Sequence, residues 1–206
     1  MVDLSTLALF SVAALALTMS PGPDMLLIAS RSASQGRASG FATLAGIQLG
    51  TYCHALAAAF GLSQLFLIVP LAYDVVRYAG AAYLLYLAWK TFRSTGTMLA
   101  PTDGLRRHPI GVVFRQGLLT NLLNPKIGVF YATVLPLFLR PGDPVLATSL
   151  LLAGIHALMG LVWLSLVATA ADRAAALLSR ETWRRRLERL TGVALLGFAA
   201  KVVVTR

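Results

Sequence analysis

The sequence predicts an all-α membrane protein that crosses the bilayer six times. Of its 206 residues, 57% are hydrophobic and 13% are charged, whereas a soluble domain carries about 25% charged residues. Two stretches, 38–73 and 144–171, contain no charged residue, and each exceeds the ~20 residues that span a bilayer as a helix. The mean hydropathy is +0.73, which leaves little of the chain for a soluble domain.

Polar connections between the apolar runs define the six spans. A basic connection, Arg31–Arg37, follows the first run, and a charge-free turn at Ser63–Gln64 separates the second run from the third. Gly46 and Gly50 in the second run are small residues that allow helices to approach closely. The predicted spans are Leu4–Ile28, Gly40–Leu62, Leu65–Trp89, Ile110–Leu139, Val145–Ala171 and Leu187–Val204.

The third to sixth spans have equally simple boundaries. Asp74 and Arg77 in the third are spaced to pair with each other, and Trp89 closes that span as an aromatic anchor at the interface. A linker at 94–107 leads to the fourth span, and a tight turn at Arg140–Pro144 leads to the fifth. A basic, amphipathic segment precedes the sixth. We predict one transmembrane domain, 1–206, with halves at about 1–93 and 108–206.

The distribution of basic residues predicts the orientation. The connections after the first, third and fifth spans carry most of the Lys and Arg, so the positive-inside rule places them in the cytoplasm and both termini in the periplasm. The net charge of +10 therefore reflects topology, and no nucleic-acid partner is expected. The chain starts without a basic leader, so we expect Leu4 onward to be a retained span. A lone Cys53 excludes a paired-thiol redox enzyme.

Two of the spans are interrupted by proline. Ser20-Pro21-Gly22-Pro23-Asp24 interrupts the first and Asn124-Pro125-Lys126 interrupts the fourth. Each proline ring removes a backbone N–H and clashes with the carbonyl of the preceding turn. Unwound backbone at membrane depth is tolerated where protein encloses it or where it lines a wet cavity. Both breaks therefore predict a binding site.

An internal repeat relates the two breaks. A shift of 102 residues lays Pro23-Asp24 on Pro125-Lys126 and His54 on His156. Because three spans is an odd number, the two halves must insert with opposite orientation. This is the inverted-repeat plan of secondary transporters, whose broken helices face each other near the midplane of the membrane. We therefore expect the two breaks to form one site.

These motifs resemble the LysE/RhtB amino-acid exporters of bacterial inner membranes. The resemblance rests on Ser20–Asp24, Gly40–Gly50, Gly80–Lys90 and the run Asn121-Leu122-Leu123-Asn124-Pro125-Lys126, and it covers nearly the whole chain. It implies secondary export of small amino acids or their derivatives, driven by the proton-motive force without ATP, cofactor or metal. It leaves the choice among homoserine-, threonine-, lysine- and leucine-like substrates open.

Asp24 and Lys126 are the charged candidates for the site. Asp24 could bind the substrate ammonium or exchange a proton during transport, or it could pair with Lys126 or cap the half-helix behind the break. Lys126 could neutralise Asp24, bind the substrate carboxylate, or extend its long stem to the cytoplasmic interface. The sequence leaves these alternatives open.

Polar and proline residues around the breaks complete the predicted substrate and proton pathway. Their freed backbone and side-chain groups could bind a carboxylate at a half-helix start, or merely repair the hydrogen bonding that proline disrupts. His54 and His156 are candidates for a proton relay or for hydrogen bonds between helices. The remaining candidates are Ser20, Pro21, Gly22, Pro23, Asn121, Asn124 and Pro125.

We expect a transporter without enzymatic activity. Its partners would be an amino acid, protons and the bilayer, and a homodimer would add helix packing around the thin wall of so short a chain. Two alternatives stay open. An exporter of a metal cation would use Cys53, His54 and His156, with export of another small solute as a variant. A channel-like or non-transporting membrane adaptor would tolerate Asp24→Asn.

Overall fold

The computed structural model describes residues 3–68, 75, 78, 81, 82, 85, 86, 89, 108–140, 142–170 and 181–204. These residues form helices joined by short turns, with no strand among them. We name the helices in chain order: α1 Leu4–Met19, α2 Pro23–Gln35, α3 Arg37–Ile68, α4 Ile110–Leu122, α5 Pro125–Val129, α6 Val145–Thr169 and α7 Glu181–Val204. A π-helical turn, Phe130–Val134, and a 3-10 turn, Leu135–Phe138, continue α5.

The predicted break in the first span is present. Helix α1 ends at Met19, its cap Ser20 is extended, and α2 starts with Pro23 at its first position. Proline suits that position, because the first N–H groups of a helix have no partner inside the helix. The axes of α1 and α2 differ by 52°. The two prolines therefore turn one apolar run into two half-helices.

The predicted break in the fourth span is present as well. Helix α4 ends at Leu122 and α5 begins at Pro125. The side chain of Asn124 accepts a hydrogen bond from the backbone N–H of Lys126 at 3.1 Å, which is the action of an N-cap. The structure therefore interrupts both spans that the sequence interrupts.

One predicted turn is shorter than expected, and another is absent. Arg31–Gln35 continues α2, and the chain turns at Gly36 alone, which has φ +89°. That left-handed conformation is open to glycine without steric cost, so one residue suffices for the turn. Ser63–Gln64 lies inside α3, which runs to Ile68. Ser and Gln are tolerated in helix interiors, and neither a proline nor a glycine stands there to end the helix.

The tight turn before α6 is confirmed. The backbone N–H of Arg140 donates to Asp143 Oδ2 at 2.9 Å, and the N–H of Asp143 donates back to the Arg140 carbonyl at 3.0 Å. Gly142 adopts φ +89° between them. Helix α7 merges the predicted basic segment and the predicted sixth span, because it starts at Glu181. The linker 94–107 and the Asp74–Arg77 pair lie outside the described residues.

Close backbone packing places α3 against α4. A Cβ added to Gly46 would lie 2.1 Å from the Phe114 carbonyl oxygen, and one added to Gly117 would lie 2.1 Å from that of Thr43. A Cβ added to Gly50 would lie 2.6 Å from the side-chain oxygen of Asn121. The predicted role of Gly46 and Gly50 in helix approach is therefore confirmed. This contact brings α3 beside the second break.

Helix α6 has one apolar outer face and one buried inner face. Leu158, Val162 and Leu166, spaced by four residues, are 57–62% exposed, whereas His156 and Gly160 lie buried on the opposite side. Within the described part of the chain, α6 alone is long and apolar enough to cross a membrane, and α1 with α2 qualifies as a broken span. The count of six spans and the inverted repeat remain predictions.

Candidate functional site

A small cavity lies where the two breaks meet. Its volume is about 30 Å³. Its wall is built by the end of α1, the start of α2, the end of α4, the start of α5, and parts of α3 and α6. Six of the predicted pathway residues line it, and five do not. The lining residues are Ser20, Gly22, Asp24, Asn121, Lys126 and His156; the others are Pro21, Pro23, His54, Asn124 and Pro125.

Lys126 crosses from α5 to the open end of α1. Its Nζ donates to the carbonyl oxygens of Leu17, at 3.2 Å, and Ser20, at 2.9 Å. In a regular helix the Leu17 carbonyl would accept from residue 21, but Pro21 has no N–H to give. The Lys126 ammonium fills that place, and its charge suits the negative end of the helix dipole. The lysine therefore lies against the end of α1.

Asp24 receives its hydrogen bond from the second break as well. Asn121 Nδ2 donates to Asp24 Oδ2 at 2.8 Å. The other carboxylate oxygen, Oδ1, is buried and has no hydrogen-bond partner among the described residues. A buried carboxylate oxygen without a donor is costly, because folding removes its water without replacing it. Asp24 thus has an unfilled acceptor on the wall of the cavity.

His54 adds a hydrogen bond at the second break, where the Asn121 carbonyl also accepts from the Asn124 backbone N–H at 3.0 Å. Its Nε2 lies 3.0 Å from the Asn121 carbonyl oxygen, and since a carbonyl can only accept, Nε2 carries the proton. That carbonyl would accept from residue 125 in a regular helix, but Pro125 has no N–H. His54 therefore caps the break from α3 and does not line the cavity.

His156 hydrogen-bonds to a residue that the sequence analysis missed. Its Nδ1 lies 2.9 Å from the hydroxyl oxygen of Tyr131, which is 1% exposed. The Tyr131 ring stacks with both predicted histidines, at centroid distances of 6.3 Å from His54 and 5.7 Å from His156. Tyr131 could have been identified from the sequence as a tyrosine inside an apolar span, because its buried hydroxyl needs a hydrogen-bond partner.

The sequence analysis also did not identify the cavity residues on α3. Gln48 and Thr51 on α3 line the cavity, together with apolar side chains. Gln48 Nε2 donates to the Ala157 carbonyl on α6, and Thr51 donates to the Ile47 carbonyl at 3.2 Å. The apolar lining consists of Leu17, Met25, Ile47, Ile127 and Leu164. The cavity is thus charged at the breaks, and the rest of its wall combines polar and apolar side chains.

The metal alternative has no geometric support in the part of the chain that the structure describes. No three His, Cys, Asp or Glu side chains come together there in a group that could hold a metal ion. Cys53 is a free, half-buried thiol. His54 and His156 direct a ring nitrogen to a carbonyl and to a hydroxyl, respectively.

The profile of the family described as LysE type translocators matches residues 15–206. The chain belongs to the LysE type translocator family. This family membership confirms the resemblance in the motifs around the two breaks. It makes the chain a membrane transport protein.

Known relatives align with most of this chain. A homoserine/homoserine lactone efflux protein of Salmonella typhimurium is 34% identical over 164 residues, 78% of this chain and 77% of the relative. A leucine efflux protein of Salmonella choleraesuis is 30% identical over 148 residues, 68% of this chain and 70% of the relative. An uncharacterised membrane protein of Bacillus subtilis is 27% identical over 205 residues, 96% of this chain and 97% of the relative. No solved structure matches the chain.

Proposed function

We propose that this translocator exports small amino acids or close derivatives across the bacterial inner membrane, in exchange for protons. Relatives at 30–34% identity are named as efflux proteins for homoserine, its lactone and leucine. These molecules share an α-ammonium and a small side chain. A site for this class needs a negative group for the ammonium and room for an aliphatic stem.

The observation that carries the proposal is the unfilled acceptor on Asp24. Asp24 Oδ1 has no donor in the described structure, and the residue lines the cavity. A substrate ammonium in the cavity would supply that donor in a charge-assisted hydrogen bond, which is shorter and stronger than a neutral one. Intramembrane carboxylates are expensive, and they mark substrate or proton pathways.

In substrates with a free carboxylate, Lys126 would match that group. Its ammonium sits on the same wall, held by the Leu17 and Ser20 carbonyls. A carboxylate carries a full negative charge, whereas each carbonyl carries a partial one, so the substrate would compete for the lysine. Binding would then loosen the link between α1 and α5. This couples occupancy of the site to movement of the two half-helices.

In this scheme the structure corresponds to a closed state of the carrier. A volume of about 30 Å³ has room for roughly two water molecules and is too small for an amino acid. Export in this scheme requires the breaks to part toward one side and then the other. We propose that the halves 1–93 and 108–206, as inverted repeats of one six-span domain, move in this way.

Proton coupling completes the proposed cycle. With the substrate released to the periplasm, a proton from outside would bind Asp24, replace the ammonium and allow return to the cytoplasmic side. We place both termini in the periplasm, following the distribution of basic residues. Substrate release and proton binding in this scheme require neither ATP nor a metal.

We also propose a homodimer, in which a second copy of the chain would thicken the wall around the pathway.

The test is amino-acid efflux from cells loaded with mixed dipeptides, comparing the wild type, Asp24→Asn and a vector control. The amide in Asp24→Asn keeps an oxygen for Asn121 but loses the charge for the ammonium, so we expect efflux of the exported amino acid to fall at least ~10-fold. Asp3→Asn is the matched control, because Asp3 lies at the start of α1, outside the cavity.

The outcomes separate the alternatives. Wild-type efflux no faster than the vector control, with the protein present in the membrane, would favour the adaptor or another solute. Efflux that survives Asp24→Asn would leave export standing and reduce Asp24 to a structural residue. Efflux that continues at the same rate after the proton gradient is collapsed would contradict proton coupling but would leave export standing.

A further inference from the structure

The hydroxyl of Tyr131 has one hydrogen-bond partner among the described residues, Nδ1 of His156 at 2.9 Å. Tyr131 is 1% exposed, so water does not reach its hydroxyl. If Nδ1 carried a proton and donated it, the hydroxyl proton would be buried without an acceptor, which costs the desolvation of that group. Tyr131 therefore donates and His156 Nδ1 accepts.

This bond determines the tautomer of His156. An imidazole whose Nδ1 accepts is neutral and carries its proton on Nε2. A second positive charge is also disfavoured here, because His156 shares the cavity wall with the Lys126 ammonium. With Nδ1 occupied by Tyr131, the nitrogen left for the cavity is Nε2. His156 thus presents an N–H donor, held in one orientation by Tyr131.

An acceptor lies one helical turn away from that donor. Gln48 Nε2 donates to the Ala157 carbonyl. This bond sets the orientation of the amide, so that Oε1 is that acceptor. A Cβ added to Gly160 would lie 3.4 Å from that Oε1. His156 and Gly160 are four residues apart and share a face of α6, and both line the cavity with Gln48.

We propose that Tyr131 and His156 form a specificity-determining pair, in which Tyr131 positions His156 Nε2–H to donate to an oxygen on the substrate side chain. This inference rests on the proposed export of amino acids, with Asp24 and Lys126 matching the zwitterion. The pair favours substrates whose side chain carries a hydroxyl or carbonyl over isosteric aliphatic ones. A hydroxyl fits best, since it accepts from His156 and donates to Gln48 Oε1.

The experiment compares two probes of the same shape, homoserine and norvaline, which differ by a hydroxyl in place of a methyl. Uptake of each labelled amino acid into energised everted membrane vesicles measures the half-saturation concentration at the cytoplasmic face. The variants are Tyr131→Phe, His156→Leu, His156→Gln and the double variant Tyr131→Phe/His156→Gln. Abundance in the membrane is measured for each, so that a folding defect is recognised.

We expect wild-type vesicles to favour homoserine. Loss of one neutral hydrogen bond corresponds to about 3–10-fold in affinity, so Tyr131→Phe and His156→Leu should narrow the homoserine preference by that factor, through the half-saturation concentration and not the maximal rate. His156→Gln keeps an N–H donor that does not depend on Tyr131. Adding Tyr131→Phe to it should therefore change the preference no further.

Two results would overturn the inference. Equal loss of homoserine and norvaline transport in Tyr131→Phe would mean that the pair serves packing or the carboxylate. Additive effects of Tyr131→Phe and His156→Gln would mean that Tyr131 does not act through His156. Failure of the proposed function looks different, because wild-type vesicles would then take up neither probe nor any other amino acid.

Discussion

Lys126 Nζ lies 2.9 Å from the carbonyl oxygen of Ser20, so a side chain of the second proline break closes the end of the first. The reverse contact runs through Asn121, which donates to Asp24 at 2.8 Å. Each break therefore satisfies polar groups that the other exposes. Two helices that proline has interrupted are stable together where each alone would leave buried groups unpaired.

Replacing Lys126 by Met tests this link. The variant keeps the apolar stem but leaves the Leu17 and Ser20 carbonyls without their donor. An unsatisfied buried polar group costs about 1–3 kcal/mol, so the thermal unfolding midpoint in detergent should fall and efflux should be lost. Arg37→Met, at an exposed position, is the control and should retain both. An unchanged midpoint for Lys126→Met would show that the carbonyl contacts contribute little.

Gly22→Ala tests the space that Lys126 needs. A Cβ at Gly22 would lie 2.9 Å from Lys126 Nζ, and the backbone at φ −170° is extended, so alanine meets no backbone strain there. The flexible end of the lysine can move aside, and the fold should survive. We expect normal abundance. Efflux should fall by about 10-fold, because displacing the Lys126 ammonium weakens a charge-assisted hydrogen bond. Gly61→Ala, with nothing within 4 Å, should transport normally; equal efflux from both variants would contradict the prediction.

Gly117→Ala tests the packing of α4 on α3. Its Cβ would lie 2.1 Å from the Thr43 carbonyl oxygen, and a backbone atom cannot rotate away as a side chain can. Overpacking of this kind typically costs about 1–3 kcal/mol, so we expect a lower unfolding midpoint and lower abundance. Gly111→Ala lies in the same helix with nothing within 4 Å. It should be neutral or slightly stabilising, because alanine favours helix more than glycine does, and a similar loss in both variants would contradict the contact with Thr43 as the cause.

Asp3→Asn tests an ion pair at the start of α1. Thr6 donates to Asp3, and Arg140 and Ser5 add hydrogen bonds, which together hold the pKa of Asp3 well below its ordinary value of 3.8. A depressed pKa contributes stability that is complete above the unfolded value and is lost as pH falls through the folded value. The unfolding midpoints of wild type and Asp3→Asn should therefore differ by a constant amount from about pH 8 to about pH 5. Their difference should shrink below about pH 4, and a gap that closes near neutrality would contradict this.

The proline breaks could be predicted from the local sequence. Missing N–H groups at Pro21, Pro23 and Pro125 interrupt a helix wherever the rest of the chain lies, and the structure interrupts both spans at those residues. The predicted turn at Arg31–Arg37 is reduced to Gly36, and Ser63–Gln64 is helical, because polar residues alone do not end a helix. A single Gly36 at φ +89° is enough.

The sequence by itself determined the apolar helices, the two breaks and the residue types at them, because composition and missing N–H groups act over a few residues. Tertiary structure alone decided the partners. It assigned Lys126 to the α1 carbonyls, Asn121 to Asp24 and Tyr131 to His156. These contacts join residues 25–109 positions apart, and their geometry depends on how closely α3, α4 and α6 pack, which no local pattern records.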